Sequence, residues 1–206
     1  MTLSPFHLVL LTGMLALTSC TDTPNAPVAS TEAPKELTPN EPVTGKTAFW
    51  AMYKPAYAWS RDLVILALGP KDLPGFKSGA GKAPMWTATF GSPANKEART
   101  WTYTIAKFED TPRGLSVGRA ISWYGPRQEA MPFTTSDLGV DSDVAYDTAA
   151  KAAAPWTKKH PNAPLTYSLG HATRFPVPVW YFKWGDSKQG FGAFVNSRTG
   201  ELLKLK

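Results

Sequence analysis

The side chains that could do chemistry are few: three histidines, one cysteine and 16 acidic residues in a chain of 206. His160, His171 and the group Asp137, Asp141, Asp143 and Asp147 are the candidates for a metal site. Such a site needs several ligands converging on one point. The four aspartates do not follow calcium-loop spacing, and capping of a helix with a solvated first turn accounts for them. His160, in Lys158-Lys159-His160-Pro161, stands where cationic groups suit a helix C-terminus. Ser168 and His171 are close in sequence, but a hydrolytic triad also needs an oriented base and oxyanion donors. No G-x-S-x-G is present, and Ser168 falls in an expected strand. Gly79-Ala80-Gly81-Lys82-Ala83 has the outline of a phosphate loop, yet Gly75 is one residue too far upstream and Ala83 replaces the Ser or Thr that ligates magnesium. The 75–84 stretch therefore reads as a flexible surface loop. The expectation is no enzyme, no catalytic residue, no metal and no cofactor, with an unrecognised hydrolase as the alternative set aside.

The one cysteine has a different setting. A single thiol rules out a disulfide framework or a cysteine-built zinc site within one chain. Phe6 to Leu17 is mostly Leu, Val, Met and Ala. As a helix it would span under ~20 Å, short of the roughly 30 Å hydrocarbon core, so it reads as a secretory h-region. It ends in Leu17-Thr18-Ser19-Cys20, which resembles the lipobox of bacterial lipoproteins. That resemblance implies a lipoprotein signal peptide over 1–19, lipidation of Cys20, and a membrane reached through an N-terminal lipid anchor. It also implies that the residue after the cysteine sorts between membranes, Asp favouring the inner one. Thr21 stands there, with Asp22 one place later, so the expected location is the bacterial cell envelope, the outer membrane over the inner.

Residues 20–46 read as a tether. Pro24, Pro27, Pro34, Pro39 and Pro42 lie among Thr, Asn, Ala, Ser and Glu, with no aromatic residue. Such a segment buries too little apolar surface to offset its ordering entropy, and its prolines favour an extended spacer. Of the 8 Trp, 7 Tyr and 10 Phe, only Phe6 precedes Phe49, so the folded body is expected over 47–206. The chain carries +6, its basic residues spread evenly from Lys35 to Lys206. An excess of this sign favours anionic partners, but without a dense patch and with an export signal, nucleic acid is not expected.

The body contains an internal repeat. At an offset of 97, Val43 lies over Val140, Ala48 over Ala145, Phe49 over Tyr146, Lys54 over Lys151 and Trp59 over Trp156. At an offset of 94, Trp86 lies over Trp180, Phe90 over Trp184 and Gly91 over Gly185. The set Phe49, Met52, Ala56, Trp59 and its counterpart Tyr146, Ala149, Ala153, Trp156 each fall on one helical face. Helices are expected near 46–62 and 141–159, the second capped by Asp141 or Ser142 with Asp143 in its first turn. Pro55 predicts either a kink or a later start for the first. Strands follow at 63–68 and 165–169, loops at 69–84 and 171–178, then alternating strands at Trp86–Phe90, Arg99–Ile105, Trp180–Trp184 and Phe191–Asn196. Further strands are expected at Leu115–Tyr124 and Glu201–Leu205. The fold class is α+β, with two similar halves over 47–132 and 133–206, each a helix packed on an antiparallel sheet.

The ending Phe194-Val195-Asn196-Ser197-Arg198-Thr199-Gly200-Glu201-Leu202-Leu203, after an Ala-rich helix and strands, resembles the PepSY domain of bacterial cell-surface proteins and protease propeptides. The match covers about 140–206, and 43–124 only through the repeat; Asn196 stands where the family usually has Asp. The resemblance implies a cystatin-like, non-catalytic module that binds or restrains a protease or another envelope protein. Most tryptophans are explained by helix faces and strand alternation. Trp123 and Tyr124, and the Phe175 to Trp180 segment with Phe175 and Trp180, sit in or beside loops and are the candidate binding surface. The expected function is a lipid-anchored extracytoplasmic binding or regulatory module with a protein partner in the envelope. The alternative is a small-ligand or glycan binder using an aromatic cleft between the halves.

Overall fold

The computed structural model describes residues 40–204. The segment read as a signal peptide, Cys20 and the part of the expected tether up to residue 39 lie outside the described residues. A short strand β1 (Val43–Thr44) leads directly into helix α1 (Gly45–Trp59), so the body begins inside the stretch read as tether. Val43 and Gly45 are buried, which requires them to belong to the fold. Thr44 caps α1, its hydroxyl accepting from the Thr47 N–H, and Ala48, Phe49, Met52 and Ala56 form the buried face. Pro55 lies well inside α1, so it does not delay the start. The Ser60 N–H closes the helix on the Ala56 carbonyl at 3.0 Å.

Six strands follow: β2 (Val64–Lys71), β3 (Lys82–Ala83), β4 (Met85–Ser92), β5 (Glu97–Thr104), β6 (Gly114–Val117) and β7 (Ile121–Ser122). A 3-10 turn (Thr135–Asp137) precedes helix α2 (Ser142–Thr157), and then come β8 (Leu165–Gly170), β9 (Val179–Gly185), β10 (Gly190–Asn196) and β11 (Leu202–Leu203). All but β1 and β3, which pair with each other, form one antiparallel sheet in the order β11-β10-β9-β8-β2-β4-β5-β6, with β7 also on β5. The architecture is α+β: two helices and antiparallel sheets.

Register explains where the core ends. One cross-strand row runs Leu202, Val195, Trp180, Leu169, Leu68, Ala88, Trp101, Val117. Its six inner members are buried beneath the apolar faces of the two helices, but Leu202 is 40% and Val117 47% exposed. Two helices cover about six strands, so the sheet outruns its cover at both edges.

Two expectations shift. Strand β2 continues through Gly69 and Pro70 to Lys71, paired with β4, where a loop is expected. Its other neighbour, β8, pairs only with Ala67 and Leu68, so the N–H that Pro70 lacks has no ladder partner to lose there. The single strand expected over Leu115–Tyr124 is broken at Gly118-Arg119-Ala120. Val117 faces Trp101 but Ile121 faces Ala98, a one-residue slip that turns Ile121 and the residues after it toward the sheet's other face.

The two helix starts meet. The Asp141 carboxylate accepts from the Ser142 N–H (2.7 Å) and from the Lys46 N–H (2.8 Å), capping both helices at once. Ser142 Oγ accepts from the Gly45 N–H (2.7 Å) and donates to the Gly81 carbonyl (2.6 Å). A Cβ at Gly81, with φ +75°, would collide with the Ser142 carbonyl. The Gly79–Lys82 hairpin is thus packed against α2, and Gly81, Ala83 and Pro84 are buried, so the end of the 75–84 stretch is core, while Gly75 and Lys77 to Ala80 lie on the surface as expected.

Candidate functional site

The seam under the helix starts holds the largest side chains of the core. Trp86 and Trp180 are fully buried, with ring centroids 6.4 Å apart edge to face. Each indole N–H is satisfied, Trp86 donating to Val43 O (3.0 Å) and Trp180 to Val140 O (3.4 Å). A Cβ on Gly45 would stand 2.9 Å from the Trp180 ring and 3.1 Å from the Trp86 ring. No cleft is left around these two indoles; a separate cavity of about 270 Å³ lies between the Gly79–Ala80 turn and α2, with Tyr146, His160 and Trp184 in its lining. Trp180, expected at a binding surface, is a core residue, because strand alternation on β9 outweighs its nearness to the 171–178 loop. Phe175 is also largely buried, against Phe194 at 4.8 Å with the Arg174 guanidinium 5.2 Å above its ring, though unlike Trp180 it still lines a cavity. It seals the outer face of β9 and β10 and leaves beside it a shallow cavity of about 140 Å³ reaching His171 and Tyr181.

Trp123 and Tyr124 are placed differently. The Trp123 N–H bonds to Lys96 O at 2.8 Å, holding the end of the edge strand on the β4–β5 turn. The Trp123 ring lies over Gly91, where a Cβ would come within 3.1 Å of it. Tyr124 is 83% exposed, the most exposed large apolar side chain described. The two rings border a groove of about 530 Å³ whose remaining wall is Val64, Pro93, Pro126 and Pro132. Pro132 is brought to Val64 because Phe133 and Ile65 exchange backbone hydrogen bonds of 2.9 and 3.0 Å. Lys96 is the one charged residue lining the groove.

The turn that carries Lys96 is fixed by its neighbours. Asp62 accepts from the Ala94 N–H (2.7 Å) and from Ser92 Oγ (3.0 Å), and Ser92 Oγ accepts from the Asn95 N–H (3.1 Å). The Ser60 hydroxyl, then the Ala94 N–H, hold the Asp62 carboxyl below its usual range. Lys96 itself takes the left-handed conformation, φ 53°. The groove wall is therefore built on a preset turn.

Of the remaining candidates, Ser168 and His171 line one shallow cavity with Glu129, and the acidic and histidine metal candidates do not converge. Asp137 is buried; burial pushes its carboxyl up, but the Thr134 N–H and the Arg198 guanidinium outweigh this and leave it below the ordinary value. It accepts from Arg198 Nε at 2.6 Å and from Thr134 N at 2.8 Å. Asp141 caps the helices, and Asp143 bonds the Val144 N–H in the first turn of α2. His160 stacks on Trp156 at 4.3 Å, and His171 Nε2 lies 3.3 Å from Phe175 O. Among the described residues no three His, Cys, Asp or Glu side chains group as a metal site. Ser168 and His171 share no hydrogen bond among the described residues. The sequence pointed to Trp123 and Tyr124, but not to Val64, Lys96 or Pro132, which arrive through non-local pairing.

The described fold is a two-helix, antiparallel-sheet α+β body with an apolar groove at one sheet edge. No family model and no curated protein matches the sequence. A solved structure described as a "putative lipoprotein" from Clostridium difficile 630 aligns with TM-score 0.45 and 12% identity, covering 77% of this chain and 91% of that one. That likeness is too distant to carry function across. No described helix is long and apolar enough to cross a membrane.

Proposed function

We propose that this chain is a lipid-anchored, extracytoplasmic binding or regulatory module that acts without catalysis on another protein of the bacterial cell envelope, a protease among the candidates. The anchor rests on Leu17-Thr18-Ser19-Cys20 and the apolar run before it. The outer membrane is favoured by Thr21. The observation that carries the binding role is the Trp123–Tyr124 groove: an exposed tyrosine ring and a half-buried tryptophan ring beside proline and valine walls, on a preset turn. Its chemistry also favours one of the two readings. Sugar hydroxyls need many polar side chains to receive them, and this groove offers Lys96 and the Tyr124 hydroxyl. Trp86 and Trp180 leave no room for a ligand between the helix starts, and the cavity beside Tyr146 and Trp184 is about half the volume of this groove. A protein surface is the better match.

We further infer that the body arose by duplication into two PepSY-like, cystatin-like halves. The support is topological. The sheet order reads outward from the β2–β8 pair through successive strands on each side, and each side is preceded by its own helix. Trp86 and Trp180 each donate to the valine just before a helix, Val43 or Val140.

The test is crosslinking and pull-down from intact cells of the source organism with native, Cys20→Ala and Tyr124→Ala chains. The account expects one specific envelope partner with the native chain, lost or mislocalised without Cys20 and lost with Tyr124→Ala. No partner above background with the native chain would overturn it.

A further inference from the structure

The groove's surroundings narrow what it can hold. From Arg113 to Arg127 the chain carries three arginines and no acidic residue. All three are exposed and form no ion pair among the described residues. Arg127 follows Pro126 of the groove wall, Arg113 lies at the far end of the edge strand beside the Gly114–Thr104 pair, and Asp62 and Glu97 flank the turn that carries Lys96. Lys96, also exposed, is the one charge on the groove wall itself, and it is positive. The body as a whole leans the same way: of the 22 basic residues only Lys35 precedes Val43, while Asp22, Glu32, Glu36 and Glu41 all do. That leaves the body more basic than the +6 of the full chain.

The walls are as informative as the charge. Two aromatic rings and the rings of Pro93, Pro126 and Pro132 make flat, rigid apolar surfaces with almost no hydrogen-bonding side chains. Surfaces of that kind recognise a ligand that arrives already extended and carries its own rings, because little conformational entropy is then lost on docking. A second copy of this chain would bring another body of the same net positive charge against this one, so like-charge repulsion argues against it. Resting on the binding role above, we propose that the Trp123–Tyr124 groove receives an extended, proline-rich segment of a partner protein that carries acidic residues, its prolines against the two rings and an acidic side chain on Lys96.

The probe is a fluorescein-labelled peptide, Pro-Pro-Glu-Val-Pro-Pro-Glu-Val-Pro-Pro, titrated by anisotropy against the full chain purified in detergent. Controls replace Glu by Lys, or Pro by Ala. Binding of the acidic peptide is expected, and both controls should be weaker by about tenfold or more. Tyr124→Ala should weaken the acidic peptide about thirtyfold, the loss typical of a central aromatic anchor. Lys96→Glu should reverse the preference, the Lys-substituted peptide becoming the tighter. Both positions are solvent-exposed, and an unchanged far-UV spectrum and melting midpoint establish that the variants fold. Equal affinity for the acidic and basic peptides, no binding of either, or indifference to Tyr124→Ala would overturn the proposal. Self-association abolished by Tyr124→Ala in sedimentation would overturn it in favour of a second copy. A partner recovered from cells through Tyr124, together with no peptide binding, would leave the binding role standing and remove this ligand class.

Discussion

Two tryptophan sites in this molecule have opposite fates. At the seam, Trp86 and Trp180 are enclosed by both helix starts, with each indole N–H bonded to a carbonyl and no room for a Cβ on Gly45. At the edge, Trp123 covers Gly91 but Tyr124 beside it is left in solvent, next to an open groove. The residue type does not decide the difference; coverage does. The helices shield the middle of the sheet, and the edge strand, turned over by its one-residue slip, extends past them. Changes at the seam should therefore cost stability and leave recognition alone, and changes at the edge should do the reverse.

The largest effect is expected at the seam. Trp180→Ala should destabilise the fold by about 3–5 kcal/mol, the range for a fully buried aromatic. For a body of this size the melting midpoint should fall by about 10 °C, read by calorimetry. The comparison would break if the midpoint barely moved. Asp141→Ala comes next, because one carboxylate caps both helices. Two caps lost at about 1 kcal/mol each should give ~2 kcal/mol in urea denaturation, where an ordinary single cap would give half of that.

Asp137→Asn should cost about 1–2 kcal/mol near neutral pH by weakening a charge-assisted bond to Arg198. The sign of its pH dependence follows from the folded pKa lying below the unfolded value of about 3.9. Its stabilisation is full above that value and is lost as pH falls through the folded pKa. The native chain should thus lose more stability between pH 7 and pH 3 than Asp137→Asn does, and equal losses would count against the account. The smallest stability effect is expected from Tyr124→Ala, within about 0.5 kcal/mol as for other exposed sites, although it should abolish partner recognition.

Local patterns made much of this legible. The three- and four-residue spacing of Phe49, Met52 and Ala56 marked α1, Asp141 marked the start of α2, and the alternation of Trp86, Ala88 and Phe90 marked β4. What local pattern does not encode is which strands meet. The β2–β8 pairing joins Leu68 to Leu169 and makes one continuous sheet of the strands that follow the two helices. The same reasoning explains Trp180. Its alternation with Tyr181 placed it in a strand, but only the pairing to Leu169 and Val195 puts it beneath both helices. Of the groove, Trp123 and Tyr124 were readable as aromatics beside a Gly-Pro turn. Val64 and Pro132 were not, since Ile65 and Phe133 meet only in the folded chain.

The most direct test of the division between sealed seam and open edge places a photocrosslinking amino acid at position 124 or, as control, at exposed position 166 of the sheet, in intact cells of the source organism. The account predicts a discrete adduct with one envelope protein from position 124 and none from position 166. Adducts of equal yield from both positions, or none from position 124, would contradict it.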